Sequence, residues 1–218
     1  MAIRKVLVWD APTRLFHWLS VVLVAACYIT FRLSWTKWHV LTGEALLALV
    51  VFRLLWGVFG SDTSRFSRFL VSPMAGIRHL SHLHHREPDT QIGHNAAGGW
   101  MVLVLILLLL GLTLTGVYVN NDIADQGPFT ELAPAPVANL INKLHRILWD
   151  ALLAAIVLHV LAVLTYAVVK RHNLLWPMLT GRKRLPPEFP GPRMASITRA
   201  LLLLAVAGAA TAAMVAWL

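Results

Sequence analysis

The chain has 218 residues, 58% of them hydrophobic and only 13% charged, where an ordinary soluble domain carries roughly a quarter charged residues; this argues against a soluble globular protein. Nineteen Lys and Arg against ten Asp and Glu give +9, but the cations punctuate apolar runs instead of forming one solvated patch, so nucleic acid is not the expected partner. The one cysteine, Cys27, lies inside an apolar run, which excludes a disulfide framework and a cysteine-based zinc or iron–sulfur site and leaves the ten histidines as the plentiful ligands.

Five stretches approach the roughly 20 apolar residues needed to cross a bilayer as a helix. The first, 15–31, follows Asp10 and Pro12, a pairing that fits an N-cap and a first-turn proline. The second, 40–59, is followed by a polar, basic, histidine-rich loop over 61–93, expected at the interface with a short amphipathic piece around 74–85. The third, 100–119, holds no charged residue. Pro134 and Pro136 precede the fourth, 147–169, and the segment 182–193 with its four prolines reads as an extended linker to an uncharged fifth span, 200–218. His17, Glu44, Arg53, Asp150 and His159 lie within or beside the first, second and fourth spans. Ionisable groups there cost insertion energy and mark an interior or functional face.

All but four of the 19 Lys and Arg fall on one side of this arrangement, the exceptions being Arg32, Lys37, Lys143 and Arg146. The positive-inside rule then puts the N-terminus in the cytoplasm and the C-terminus, after five crossings, outside. Val24-Ala25-Ala26-Cys27 has the look of a lipoprotein cleavage site. Cleavage there would remove His17, and the preceding region is too long and contains Asp10, so the first span is expected uncleaved.

His145 and His159 are 14 residues apart on the fourth helix, hence within roughly 40° of one face and about 21 Å apart along the axis. Two sites can stack across the membrane if each finds a second imidazole at its own depth, as bis-histidine haem ligation requires. On this topology His17, near the inner end of the first helix, pairs with His159, and His39, opening the second helix, pairs with His145. Ala155 and Ala162 beside His159, and Gly43 four residues after His39, leave room for a flat macrocycle.

These residues resemble a known family, the bacterial cytochrome b561 and nickel–iron hydrogenase b-type cytochrome group. The matching elements are Val8-Trp9-Asp10-Ala11-Pro12-Thr13-Arg14-Leu15-Phe16-His17-Trp18, His39 with Gly43, Arg53-Leu54-Leu55-Trp56-Gly57-Val58-Phe59-Gly60, Gly93-His94-Asn95, His145, His159 and Met178-Leu179-Thr180-Gly181-Arg182-Lys183. The similarity covers about 3–184. It implies an all-α membrane protein in which a four-helix core over 1–184 holds two b-type haems, with 185–218 supplying a linker and an additional fifth transmembrane helix. By position it makes His17, His39, His145 and His159 the iron ligands. It also implies electron transfer between the quinone pool and a periplasmic redox partner, such as a c-type cytochrome. Two features depart from the family pattern: Ala96 stands where relatives often carry proline, and the fifth helix lies beyond the core, where it could shield a face or build an oligomer.

Further residues join the cofactor-binding set with stated alternatives. His94 opens the third helix and is expected to cap it or to hydrogen-bond a haem propionate, with direct ligation as the competing role. Arg14 and Arg53 are suited to propionates, the alternative being a guanidinium that snorkels to lipid phosphate. Glu44 and Asp150 are candidates for relaying a proton to quinone, against simple burial. His79, His82, His84 and His85 lack carboxylate or cysteine support and read as a tract that meets anionic membrane lipid. Asp122, Asp125 and Glu131 form an outer acidic segment without Lys or Arg, suited to a basic electron carrier. Two bis-histidine haems leave no open iron position, which favours outer-sphere electron transfer. The alternatives are a self-contained superoxide-to-quinone oxidoreductase and, in a different class, a haem-free membrane scaffold.

Overall fold

A computed structural model describes residues 3–81, 89–119 and 134–216. Among the described residues, five helices are long and apolar enough to cross a membrane: α1 (Ala11–Arg32), α2 (Thr36–Phe59), α5 (Ala96–Gly116), α6 (Ala135–Thr165) and α8 (Ile197–Ala216). Between α2 and α5 lie the short α3 (Phe66–Phe69) and α4 (Pro73–Ser81); a π-turn, Tyr166–Lys170, ends α6, and α7 (Leu175–Thr180) follows. Valines and leucines such as Val21, Val22, Val157, Leu158, Leu201 and Leu202 are exposed on the spanning helices. Water would not tolerate that much apolar surface, but lipid does. The chain is an all-α membrane protein. Helix α6 starts twelve residues ahead of the apolar stretch expected from 147, because Pro134 and Pro136 start it and His145 lies inside it.

The molecule divides into two compact units, one of Met1–Leu15, Leu54–Val104 and Ala155–Ala200, the other of Phe16–Arg53, Leu105–Ala154 and Leu201–Leu218. In the first, the basic N-terminus and part of the expected linker form an antiparallel ribbon, β1 (Arg4–Leu7) with β2 (Arg182–Leu185), in the register Arg4↔Leu185, Lys5↔Arg184, Val6↔Lys183 and Leu7↔Arg182. The proline count hides β2 because the prolines begin only at Pro186, after the strand has ended. Val6, Val8, Trp9 and Leu185 make a small core, closed by Ile92, Met178 and Phe189. The amides of Val8 and Trp9 both donate to the Gly181 carbonyl, at 2.8 and 3.1 Å. Gly181 has φ +77°, and a Cβ there would stand 2.7 Å from the Trp9 oxygen, so only glycine makes this turn without strain. The rest of the linker is tied down: Asp62 and Arg193 bond through their backbones at 3.0 Å, and the Ala195 amide donates to Ser61 Oγ at 2.9 Å.

Asp10 organises the start of α1. Its Oδ1 accepts the Thr13 amide at 2.7 Å, the N-cap bond expected from the sequence. Its Oδ2 accepts from the Trp56 indole and from Ser64 Oγ, each at 3.2 Å, and Ser64 meets Thr13 Oγ1 at 2.6 Å. Asp10, Thr13, Ser64 and Trp56 are all buried.

In the second unit, Leu47 and Val117 pack with Val51, Leu110 and Met214, Gly111 faces Leu148, and Tyr28 stacks on Trp149 with ring centroids 5.5 Å apart. Helix α1 ends in a Schellman turn: Trp35 N donates to Thr30 O and Ser34 N to Phe31 O, with Ser34 at φ +56°. That tight reversal brings the first turn of α2 back beside the last turns of α1.

Asp10→Ala removes the cap, worth about 1 kcal/mol, and leaves two buried donors to be satisfied elsewhere, at about 1–3 kcal/mol each. A thermal melt in detergent is expected to show a clear loss of stability, which Asp10→Asn only partly restores because the amide offers one acceptor oxygen instead of two.

Candidate functional site

His39 is the fourth residue of α2, and the Ser34 turn sets its imidazole against α1, where Nδ1 lies 2.9 Å from the Cys27 carbonyl oxygen. A carbonyl only accepts, so Nδ1 carries the hydrogen and Nε2 keeps its lone pair; the tautomer is assigned from this network. Cys27 Sγ donates to Thr42 Oγ1 at 3.2 Å, and Thr42 donates in turn to the Trp38 carbonyl at 2.8 Å. One turn beyond His39, a Cβ built on Gly43 would meet no heavy atom within 4 Å. Open space therefore adjoins His39, as a bulky planar ligand requires.

His145 is constrained in the same way from another direction. Its Nδ1 lies 3.0 Å from Thr115 Oγ1 on α5. The Thr115 hydroxyl proton is directed to the Gly111 carbonyl at 2.7 Å, so the oxygen accepts from Nδ1–H and Nε2 of His145 again keeps its lone pair. Gly116 packs on the ring, where an added Cβ would stand 3.2 Å from Cε1. His39 and His145 belong to the same unit. Two imidazoles, each with Nδ1–H bonded and Nε2 presented, are the kind of donor that haem iron accepts. With the open space at Gly43, these residues fit a b-type haem.

The other expected ligands fall in different units, His17 in the second and His159 in the first. The His17 ring meets Trp18 edge-on at 4.8 Å. His159 is half-buried within α6 among Ala155, Ile156 and Ala162. Arg53 is 2% exposed, with its guanidinium carbon 5.8 Å from the Phe16 ring centroid. That burial overturns the snorkelling alternative for Arg53. Arg14 donates to the Leu179 carbonyl at 2.6 Å, while its buried Nε has no hydrogen-bond partner among the described residues.

His94 lies between Trp9 and Phe69, each ring 4.6 Å away. It does not cap α5; Asn95 does, accepting the Gly98 amide at 2.7 Å and donating to the Tyr166 hydroxyl at 2.8 Å. Ala96 is then the first helical residue, the position where proline is also tolerated, which explains why either residue can stand there. Glu44 is half-buried and Asp150 exposed. His79 lies on α4, whereas His82, His84, His85, Asp122, Asp125 and Glu131 lie outside the described residues. Among the described residues, no group of three or more His, Cys, Asp or Glu could hold a metal ion. The sequence reading missed Thr115, Gly116 and the Cys27 carbonyl. Thr115 is 30 residues from His145 and Cys27 is 12 from His39, and no short motif joins either pair.

Five apolar helices and histidines set to present Nε2 define a multi-pass membrane cytochrome of the b type. Residues 8–181 match the family model of prokaryotic cytochrome b561, and the chain belongs to that family of membrane electron-transfer proteins. It is 22% identical over 213 residues to the probable Ni/Fe-hydrogenase B-type cytochrome subunit of Bradyrhizobium diazoefficiens, covering 82% of this chain and 86% of the relative. No solved structure matches it. The fifth span, Ile197–Ala216, lies beyond the residues that the family model matches.

Gly116→Ala pushes its methyl toward His145 Cε1, so the ring must shift by a few tenths of an ångström and the bond to Thr115 loosens. The expected outcome is an altered haem absorption spectrum and a stability loss of about 1 kcal/mol, read from visible spectra and thermal melts of the purified protein.

Proposed function

We propose that the chain carries two bis-histidine haems, one held by His39 and His145 and one by His17 and His159, and that it passes electrons between the quinone pool and a redox partner. The observation that carries this reading is the commitment of Nδ1 on both His39 and His145 to oxygen acceptors, which leaves both Nε2 atoms for iron. Haem b, held by these four imidazoles, would supply a one-electron couple suited to outer-sphere electron transfer. Thr115 and the Cys27 carbonyl hold the imidazole planes and raise their basicity, as partners of metal-bound histidines do. Arg53, buried near Phe16, and Arg14, through its Nε, are the cations suited to the propionates. The four-helix core over 1–184 would bear both haems, and the remaining residues would add the fifth helix. Of the two acids, half-buried Glu44 would be the better suited to relay a proton to a quinone, and exposed Asp150 the less.

The relative's name describes a subunit associated with a nickel–iron hydrogenase. A hydrogenase or another periplasmic electron carrier is accordingly the kind of partner proposed here, in a bacterial inner membrane with the N-terminus in the cytoplasm.

A pyridine haemochrome assay is expected to give two haems per chain, falling to one in each of His17→Ala, His39→Ala, His145→Ala and His159→Ala and staying at two in His94→Ala. One haem in the parent protein, or a haem lost with His94, would overturn the pairing. Thr115→Val should keep both haems while weakening retention of one by about 10–100-fold, measured by haem transfer to apomyoglobin. Gly43→Ala meets no protein atom, so its apoprotein should melt like the parent; its haem occupancy should fall if the macrocycle fills that space.

A further inference from the structure

The ribbon carries a charge arrangement that the redox reading does not use. Lys5 and Arg184 are directly opposed across the β1–β2 pair, and Arg182 follows two residues along on the same face. Like charges directly opposed across strands are destabilising. All three cations are exposed, and among the described residues none has a carboxylate within ion-pair distance. The neighbouring acid, Asp89, is already taken: Lys183, on the other face of β2, bonds to it, and His172 stands 3.7 Å from it. A cavity of about 500 Å3 opens beside the three cations, with Asn173, Trp176 and Thr180 in its wall together with the Lys183–Asp89 pair, whose carboxylate is neutralised by that lysine. Asn173 Oδ1 accepts the Trp176 amide at 2.8 Å, so its amide nitrogen remains a donor.

The surroundings select the kind of anion. Helix α7 begins five residues after the π-turn that ends the α6 span and exposes Leu175 (52%), Trp176 (60%) and Leu179 (47%). Leu7 is exposed on the same ribbon face as Lys5. Tryptophan and leucine displayed beside arginine at the end of a spanning helix are suited to the membrane–water boundary. A soluble anion would satisfy the cations and leave this apolar rim in water, whereas a phospholipid satisfies both.

We propose that Lys5, Arg182 and Arg184 form a binding site for the headgroup of an acidic phospholipid, whose acyl chains lie along Leu7, Leu175, Trp176 and Leu179. The three side chains neutralise the lipid's phosphate while Asn173 adds a neutral donor. The bound lipid offsets the Lys5–Arg184 repulsion and holds the ribbon and α7 against the membrane surface.

The test uses the full-length, haem-loaded protein in detergent, titrated with phosphatidylglycerol and with phosphatidylcholine, with retained lipid counted by native mass spectrometry. Saturable retention of phosphatidylglycerol over phosphatidylcholine is expected, undiminished by millimolar inorganic phosphate. K5Q/R182Q/R184Q should weaken it by about 100-fold, at roughly fivefold per cation, and K5R/R182K/R184K, which keeps every charge, should retain it. The haem spectrum reports folding of each variant independently of lipid. Unchanged retention in the glutamine variant, equal loss in the charge-preserving variant, or equal retention of both lipids would overturn the proposal. Displacement by inorganic phosphate would make this a free-anion site and overturn it as well.

Discussion

Inside a membrane there is no water to satisfy an imidazole N–H, so every spanning-helix histidine must find its acceptor within the protein. At His39 and His145 that requirement also sets the chemistry. Once a backbone carbonyl or a threonine oxygen has taken Nδ1–H, the tautomer is settled and Nε2 keeps its lone pair. The two acceptors come from unlike sources, a helix carbonyl at Cys27 and a hydroxyl at Thr115 whose own proton is already used. Neither ring can rotate without losing that bond, so the protein itself fixes the orientation of both imidazoles. A scaffold whose histidines merely satisfied one another would have no need to leave both Nε2 atoms open, and family membership also weighs against that reading.

The first unit answers a different problem, that of chain ends and short elements at a membrane boundary. A buried carboxylate is costly unless fully bonded. Asp10 meets that condition with a backbone amide, an indole and a hydroxyl. Gly181 receives two amides at once, which binds the N-terminal segment to the residues just after α7. These bonds hold together segments more than 160 residues apart, and the charged ribbon is displayed on that fixed base.

The fifth span gains its place from particular contacts. Met214 packs on Leu47 and Val117 in one unit, and in the other the segment before the span is bonded to Ser61 and Asp62, with Arg199 donating to the Phe59 carbonyl. Helix α8 therefore follows a segment bonded to the protein rather than a free tether.

The five spans, the Asp10 cap and the family resemblance were all legible in the chain itself, because they rest on local composition or on contiguous motifs. The ribbon was not: Arg4–Leu7 is too short and too charged to announce a strand, and its partner lies next to a proline-rich stretch. Nor could the chain alone decide Arg53, whose side chain might have reached lipid until packing placed it beside Phe16. The same holds for Thr115, Gly116 and Cys27, whose roles come from neighbours on other helices. Periodicity and apolar length determine which segments cross the membrane, since the bilayer reads them one helix at a time. Which nitrogen of each imidazole is left open depends on an acceptor many residues away, and only tertiary structure brings that acceptor into reach.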